Sequence, residues 1–146
     1  MREGKDIKYM KAALDEAKKA FEKQEVPIGA VVVCNDIIIA RAHNLTETLR
    51  DPTAHAEMQA ITAATNYLGG KYLTDCKMYV TVEPCPMCAG ALNWSQLPEL
   101  CFGTDDEKRG YRTISSALLH PKTKTKKGIL ENECRELMVS FFKAKR

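Results

Sequence analysis

The chain has 146 residues, of which 45% are hydrophobic and 28% charged, and its formal net charge is +3. This composition is typical of a globular protein with a buried core and excludes the fibrous and intrinsically disordered classes. No apolar run approaches the roughly 20 residues that span a bilayer, and the charged N-terminal segment lacks the apolar region of a signal peptide. We therefore expect one cytoplasmic domain over residues 1–146, without a membrane partner, in which structural disulfides are rare.

Positive charge is concentrated at the C-terminal end. Residues 122–146 contain eight Lys or Arg and three Glu, a net charge of +5, whereas residues 26–121 carry a net charge of −3. A basic surface of this kind can contact phosphate groups. A solvated helix face explains such a charge run about equally well.

The first half of the chain predicts a helix, a hairpin and a second helix. Pro27 and Gly29 are expected to end the first helix, and Gly69-Gly70 the second. Between the helices, the runs VVV and III flank Asn35-Asp36, which predicts a hairpin of buried strands. The helical spacing is carried by Ile7, Met10, Leu14, Ala17 and Phe21 in the first helix, and by Met58, Ile61, Ala64 and Leu68 in the second.

The second half predicts strands at 77–82 and 99–103, with a helix from residue 86 to about 94 between them. A short helix is expected at 115–119, and segment 122–130 is compatible with a loop or an edge strand. Asn132 would cap a last amphipathic helix, on which Phe141 and Phe142 cannot both face the core. Helices that alternate with strands in this way predict a three-layer α/β/α domain, with the sheet between helices.

The stretch VEPCPMCAG holds the most informative pair of the six cysteines. Cys85 and Cys88, in the first turn of a helix, can place both sulfurs on one side, and the helix N-terminus favours the thiolate that metal binding requires. With His55 they make three zinc ligands, which leaves a fourth position for water, as in catalytic sites. The alternatives are a thioredoxin-like redox pair and a closed structural zinc with a fourth ligand, His43, His120 or another cysteine. The remaining cysteines are expected to be inert core residues: Cys34, Cys76, Cys101 and Cys134.

Glu57 follows His55 by two residues, and in a regular helix these positions point to nearly opposite sides. Both can face one site only if His55 lies at the helix entry. A carboxylate that lies beside an activated water, without binding the metal, could accept a proton from that water and pass it to a substrate nitrogen. Taken alone, Glu57 is better explained as a first-turn acid stabilised by the helix dipole, and only the downstream VEPCPMC motif favours the proton-transfer role.

His-x-Glu followed by Pro-Cys-x-x-Cys is the pattern of the zinc nucleobase deaminases. On these motifs the chain resembles the cytidine-deaminase-like zinc hydrolases, and among them the bacterial tRNA-specific adenosine deaminases. The resemblance runs from about residue 25 to the C-terminus. Its segments, in order, are EVPIGAVVV, Ala42-His43-Asn44, DPTAHAE, MYVTVEPCPMCAGAL, CFGTDDEKRG and KGILENECRELMVSFFKAKR.

This resemblance implies a five-stranded mixed sheet between helices, a homodimer, and hydrolytic deamination of adenosine to inosine at the wobble position of a tRNA anticodon. It also implies one Zn²⁺ per chain and a tRNA anticodon stem-loop as the partner. The implied roles are zinc binding for His55, Cys85 and Cys88, proton transfer for Glu57, purine binding for Asn44, base-pocket lining for Ile28 and Val82, and RNA contact for Phe142 and the basic tail.

Two stretches depart from that branch. A His-Ser-Arg-like stretch is replaced by residues 93–96 (NWSQ), and a small-residue loop by residues 111–114 (YRTI). Through the tryptophan at position 94, the chain also resembles the free guanine deaminases. The alternative activity is therefore deamination of a free base or nucleoside, guanine or cytosine. A hypothesis from another class of function is a non-catalytic RNA-binding module. It would require a structural zinc site closed by four protein ligands.

Overall fold

The computed structural model describes residues 2–145, with side chains from residue 4 onward. Five helices, five strands and two short 3-10 helices at Tyr111–Thr113 and Ser116–Leu118 make up this part of the chain. Among the described helices, none combines the length and the apolar character that crossing a membrane demands. The elements are α1 (Arg2–Glu22), β1 (Gly29–Cys34), β2 (Ile37–His43), α2 (Thr46–Leu49), α3 (Ala56–Leu68), β3 (Cys76–Val82), α4 (Pro86–Trp94), β4 (Glu99–Thr104), β5 (Lys124–Lys127) and α5 (Glu131–Ala144).

The strands form one mixed sheet in the order β2-β1-β3-β4-β5. Strand β1 is antiparallel to both β2 and β3, whereas β3, β4 and β5 are parallel to one another. The last residues of β2, β3, β4 and β5 therefore meet at one end of the sheet, beside Gly29 at the start of β1. We call this the carboxyl end. The opposite end, marked by Cys34 and Cys76, is the amino end.

Helices cover both faces of the sheet, as the alternation of elements predicts. Helices α1 and α5 pack on one face, where Met10, Val31 and Cys134 belong to one apolar core. Helices α3 and α4 pack on the other, where Ala60, Met78 and Leu92 belong to a second core. The predicted three-layer α/β/α fold with a five-stranded mixed sheet is confirmed.

The predicted hairpin, α3, β3, α4 and β4 are confirmed within one residue or so, but two helix ends are not where the sequence placed them. Helix α1 ends at Glu22, well before Pro27, because Gln24 takes a left-handed conformation (φ 63°) and Glu25 N donates to Ala20 O at 2.9 Å. The cap predicted at Asn132 is wrong. Leu130 precedes the first residue of α5, so Asn132 lies inside the helix.

In two further segments, the secondary structure depends on contacts with residues far away along the chain. Segment 122–130 contains β5, an exposed edge strand of sequence KTKK that pairs with β4. Edge lysines of this kind oppose pairing with a further strand. Helix α2 has a single turn and was not predicted, because the carboxylate that caps it, Glu25, lies more than twenty residues away along the chain.

Candidate active site

Two helix N-termini at the carboxyl end of the sheet carry the predicted metal ligands. His55 directly precedes α3 and has an extended backbone (φ −71°, ψ 156°). Cys85 precedes α4 in a similar conformation (φ −72°, ψ 168°), since Pro84 ends β3 and Pro86 starts the helix. Cys88 is buried in the first turn of α4. The two helices thus point their N-termini at the same place.

The three ligand atoms lie at distances that suit a tetrahedral ion. The Nδ1 atom of His55 is 3.6 Å from Cys85 Sγ and 3.5 Å from Cys88 Sγ, and all three atoms lie within 4.8 Å of one another. With metal–sulfur distances of about 2.3 Å and metal–nitrogen distances of about 2.0 Å, a nitrogen–sulfur edge of a tetrahedron measures roughly 3.5 Å. The residues present therefore fit a metal ion, as predicted from the sequence.

Three of the residues considered as a fourth ligand have other partners, and the cluster includes none of the remaining cysteines among the described residues. His43 contacts Glu16 through Nδ1 at 2.9 Å and Lys23 through Nε2 at 3.0 Å. The Nδ1 atom of His120 accepts a hydrogen bond from Lys122 N at 3.1 Å. Cys76 pairs with Cys34 across the sheet at the amino end. Within the described part of the chain, the cluster thus has three protein ligands, the number typical of a catalytic site with a place for water.

Electrostatics in the metal-free cluster favour one thiolate. A hydrogen bond from Cys88, followed in strength by the contact with His55, lowers the pKa of Cys85 to about 4. The pKa of Cys88 is raised, because its thiol is hydrogen-bonded to Cys85 and is buried. The pKa of His55 is also raised, chiefly by its hydrogen bond with Cys85. Metal binding would remove these protons, so the affinity of the cluster for a cation must increase with pH.

Glu57 lies beside the cluster. Its side chain is buried at the start of α3, close enough to Cys88 for that thiol to affect its pKa. Burial raises the pKa of Glu57 to about 7. The predicted condition for His55 and Glu57 to face one site is met, because the extended backbone of His55 is not yet helical. A carboxyl group that can hold or release a proton near neutral pH therefore stands next to the three ligands.

The structure brings three of the four predicted substrate-binding residues to the carboxyl end of the sheet. Asn44 N donates to Ile28 O at 3.1 Å, so these two residues are adjacent, and the Asn44 side chain is buried. Val82 is buried at the end of β3, three residues before Cys85. Ile28 is partly buried against the core that packs under α3 and α4.

Phe142 lies further away, on α5. Its neighbour Phe141 is buried, with its ring 5.9 Å from that of Phe21 near the end of α1, while Phe142 itself is 49% exposed. The prediction that only one of this pair faces the core is confirmed. Because α1 leads into the start of β1, Phe142 lies towards the carboxyl end of the sheet, outside the metal cluster.

Sequence reasoning missed two buried carboxylates that hold the surroundings of the cluster. Glu25 is fully buried and accepts hydrogen bonds from Glu47 N at 3.0 Å and from Thr48 N at 2.6 Å, which fixes the segment between Asn44 and His55. Glu83 is buried between Val82 and Pro84 and binds Arg112. For Glu83, the available signal was an acidic residue directly after an apolar strand. That signal does not reveal its distant partner, Arg112.

Comparison with known proteins agrees with this geometry. The MafB19-like deaminase family matches residues 5–146. The tRNA-specific adenosine deaminase of Bacillus subtilis (strain 168) is 48% identical over 143 residues, which cover 94% of this chain and 89% of that protein. A structure from studies of A-to-I editing by tRNA:A34 deaminases at the wobble position of transfer RNA has a TM-score of 0.82 and 38% identity, covering 88% of this chain and 97% of the other. Guanine deaminase from Bacillus subtilis has a TM-score of 0.64 and 38% identity, over 67% of this chain and 63% of the other. The chain therefore belongs to the MafB19-like deaminase family and to the family of tRNA-specific adenosine deaminases.

Proposed function

We propose that this protein, as a single domain over residues 1–146, hydrolyses adenosine to inosine at the wobble position of a tRNA anticodon in the cytoplasm. The observation that carries the proposal is the cluster of His55, Cys85 and Cys88 at tetrahedral spacing, with the buried carboxyl group of Glu57 beside it. The similarity to tRNA-specific adenosine deaminases over nearly the whole chain supports the choice of substrate.

Zinc is the metal that this ligand set suits best. Two thiolates and one imidazole are soft or borderline ligands, and three protein ligands are typical of catalytic zinc. His55, Cys85 and Cys88 would hold one ion per chain. When bound, zinc supplies Lewis acidity that lowers the pKa of water towards about 7.

Glu57 moves the protons of the reaction. Its carboxylate accepts a proton from the attacking water and delivers it to the purine ring nitrogen next to C6, while the water oxygen bonds to C6, which becomes tetrahedral. It then takes the remaining proton from the new C6 hydroxyl and passes it to the amino group. The bond from C6 to the amino nitrogen breaks, ammonia leaves, and the C6 carbonyl of inosine remains. In the metal-free protein burial raises the pKa of Glu57 to about 7, and a cation in the neighbouring cluster would lower it, so that Glu57 is the carboxylate needed to accept the first proton.

Asn44, Ile28 and Val82 form the base-binding side of the site. The amide of Asn44 hydrogen-bonds the purine edge, while Ile28 and Val82 offer apolar contact to its ring. A nucleotide in an anticodon loop is already unpaired, so placing its base in this pocket costs less free energy than opening a duplex. The RNA backbone contacts the exposed residues Lys108 and Arg109 and the basic C-terminal helix, where Phe142 provides a stacking surface.

Homodimer formation belongs to the same proposal. Trp94 is 84% exposed at the end of α4, and Ile114 is 68% exposed. Contiguous patches of exposed apolar side chains are typical of surfaces that a partner covers, and we assign these two residues to such a patch. We expect a second copy of the chain to cover them.

The decisive assay measures inosine by nucleoside mass spectrometry after zinc-loaded protein acts on an anticodon stem-loop with adenosine at the wobble position. Light scattering on the same sample reports the dimer mass. We expect inosine from the wild type and a loss of at least about 10³-fold in turnover for Glu57→Gln, with one zinc per chain retained in both. Normal turnover by Glu57→Gln would remove Glu57 from the mechanism.

Deamination of free guanine is the second candidate, because guanine deaminase from Bacillus subtilis shares 38% identity over part of the chain. A parallel assay with free guanine and free cytosine separates the two activities. Ammonia release from guanine, without inosine in the RNA, would replace the proposed substrate and leave the roles of the metal ligands and Glu57 unchanged.

A further inference from the structure

Glu83 is a buried carboxylate with an unusually complete set of partners. Its Oε1 atom accepts hydrogen bonds from Asp106 N and Arg112 Nη2, both at 3.1 Å. Its Oε2 atom accepts from Arg112 N at 3.1 Å and Arg112 Nε at 3.2 Å. The side chain is only 2% exposed. A buried carboxylate whose oxygens are all bonded in this way holds its donors in a defined place.

These donors belong to one loop, residues 105–112, which leaves β4 and returns beside the metal ligands. The loop is tied to the β3–α4 segment at both ends, because Glu83 N donates to Thr104 O and Tyr111 N donates to Pro84 O, each at 2.8 Å. Gly110 packs directly on the Glu83 carboxylate, where a Cβ atom would overlap it. Pro84 is next to Cys85, so the loop and the metal cluster share a support.

Arg112 uses the Nε and Nη2 atoms of its guanidinium group in this anchor. Besides the two bonds to Glu83, Nη2 contacts Asp105 Oδ1 at 2.5 Å, and the group lies 5.2 Å from the centre of the Phe102 ring. A planar group with several donors can satisfy two carboxylates and an aromatic face at once, whereas the single ammonium of lysine cannot.

The tip of the loop carries two cations. Lys108 and Arg109 are exposed, and their backbone N–H groups donate to Asp106 Oδ1 at 3.1 and 3.0 Å. The Asp106 backbone is itself held by Glu83. The position of both cations therefore depends, through Asp106, on the buried carboxylate.

We propose that the Glu83–Arg112 pair is a positioning element for the reaction, which fixes loop 105–112 so that Lys108 and Arg109 meet the RNA backbone beside the metal cluster. The inference rests on the proposed function. Because the pair acts on the loop rather than on the reacting atoms, its loss should weaken RNA binding and leave the chemical step intact.

The first test compares steady-state kinetics of zinc-loaded wild type, Arg112→Gln and Glu83→Gln on the anticodon stem-loop. We expect KM to rise about tenfold in both variants, with kcat within twofold of the wild type and zinc content unchanged. Arg112→Lys should recover only part of the loss, because it keeps the charge but not the fork of donors. Arg41→Gln, which removes an exposed arginine from β2, is the matched control and should leave KM unchanged.

The two glutamine variants also separate positioning from simple charge. Arg112→Gln makes the surface less basic, but Glu83→Gln makes it more basic, so electrostatic attraction alone predicts a lower KM for Glu83→Gln. A lower KM in that variant would overturn the proposal. So would an unchanged KM with a reduced kcat in either variant, which is the result expected of a purely structural ion pair that lowers the fraction of folded enzyme.

A second test does not depend on the substrate. Trypsin cleaves after Lys108 and Arg109 only when the loop opens, so limited proteolysis of the zinc-loaded protein measures how firmly the loop is held. We expect cleavage at these two sites to be about tenfold faster in Arg112→Gln than in wild type or Arg41→Gln. Equal cleavage rates in Arg112→Gln and wild type would show that Arg112 does not hold the loop in place. If the wild type forms no inosine but the loop opens as expected, the proposed function fails and the anchor stands.

Discussion

Two pairs of cysteines lie at opposite ends of the same sheet, and their chemistry differs because of the backbone around them. At the carboxyl end, Cys85 and Cys88 lie at a helix N-terminus next to His55, and the pKa of Cys85 is lowered to about 4. At the amino end, Cys34 and Cys76 are opposite each other on antiparallel strands. Burial, followed by a hydrogen bond with Cys34, raises the pKa of Cys76 to about 12.

The difference shows what makes a pair of thiols suitable for binding a metal. Both pairs bring two sulfurs close together, but only one has an imidazole and the partial positive charge of a helix N-terminus beside it. The pair at the amino end lies against core residues such as Met78 and Val32, and the charged group that acts on Cys76 there is the carboxylate of Asp75, which disfavours a thiolate. Proximity of thiols alone therefore does not predict a metal site in this protein.

Removing one thiol from each pair should give the largest contrast. Cys85→Ala leaves two ligands, so we expect zinc to be lost and turnover to fall at least about 10³-fold. Cys34→Ala removes a partly buried thiol that lies far from the site, so zinc content and turnover should stay within twofold of the wild type. Zinc analysis and the inosine assay measure both effects. Zinc retained at one ion per chain in Cys85→Ala would contradict the assigned ligand set.

Alkylation of the metal-free protein should show a smaller but clear contrast. At pH 7 Cys85 is a thiolate and Cys76 is not, so iodoacetamide should modify Cys85 at least about 10²-fold faster, even though a thiolate of low pKa is a weaker nucleophile. Because the folded-state pKa of Cys85 is lowered from 9.0 to about 4, its labelling should persist as the pH falls from 9 and be lost as the pH passes below about 4. Peptide mass spectrometry of samples quenched over time gives both rates. Equal labelling of the two cysteines would show that the environments do not differ as described.

Mild oxidation should join the pair at the amino end, with a modest gain in stability. Directly opposite residues on antiparallel strands have Cα atoms about 4.5–5.5 Å apart, within the range that a disulfide allows. We expect diamide to link Cys34 and Cys76 in the zinc-loaded protein, with loss of two hydrogen atoms, and to raise the free energy of unfolding by about 2–4 kcal/mol. Reduction should reverse both changes. Cys34→Ser is the control, and the same rise in stability in that variant would assign the effect to other cysteines.

Most of the fold and the clustering of His55, Cys85 and Cys88 could be predicted because their signals are local. The spacing of Cys85 and Cys88 and the His-x-Glu motif depend on one helical turn each, and Asn35-Asp36 defines its hairpin by itself. The end of α1 at Gln24 could not be predicted, since a non-glycine residue in a left-handed conformation has only a weak sequence signal. The Glu83–Arg112 ion pair could not be predicted from the sequence either, because the two residues are 29 positions apart and meet only after β4 pairs with β3.

The strand order has a consequence for how the chain assembles as it is synthesised. In the order β2-β1-β3-β4-β5, each strand after the first hairpin adds to an edge that the previous strands already provide. No later strand has to insert between two that are already paired, so the sheet can grow in one direction as the ribosome releases it. His55, Cys85 and Cys88 are all translated before β4. The three residues proposed to bind zinc therefore lie on segments that precede the last two strands and α5 in the chain, and none of them depends on those later elements for its place in the sequence of assembly.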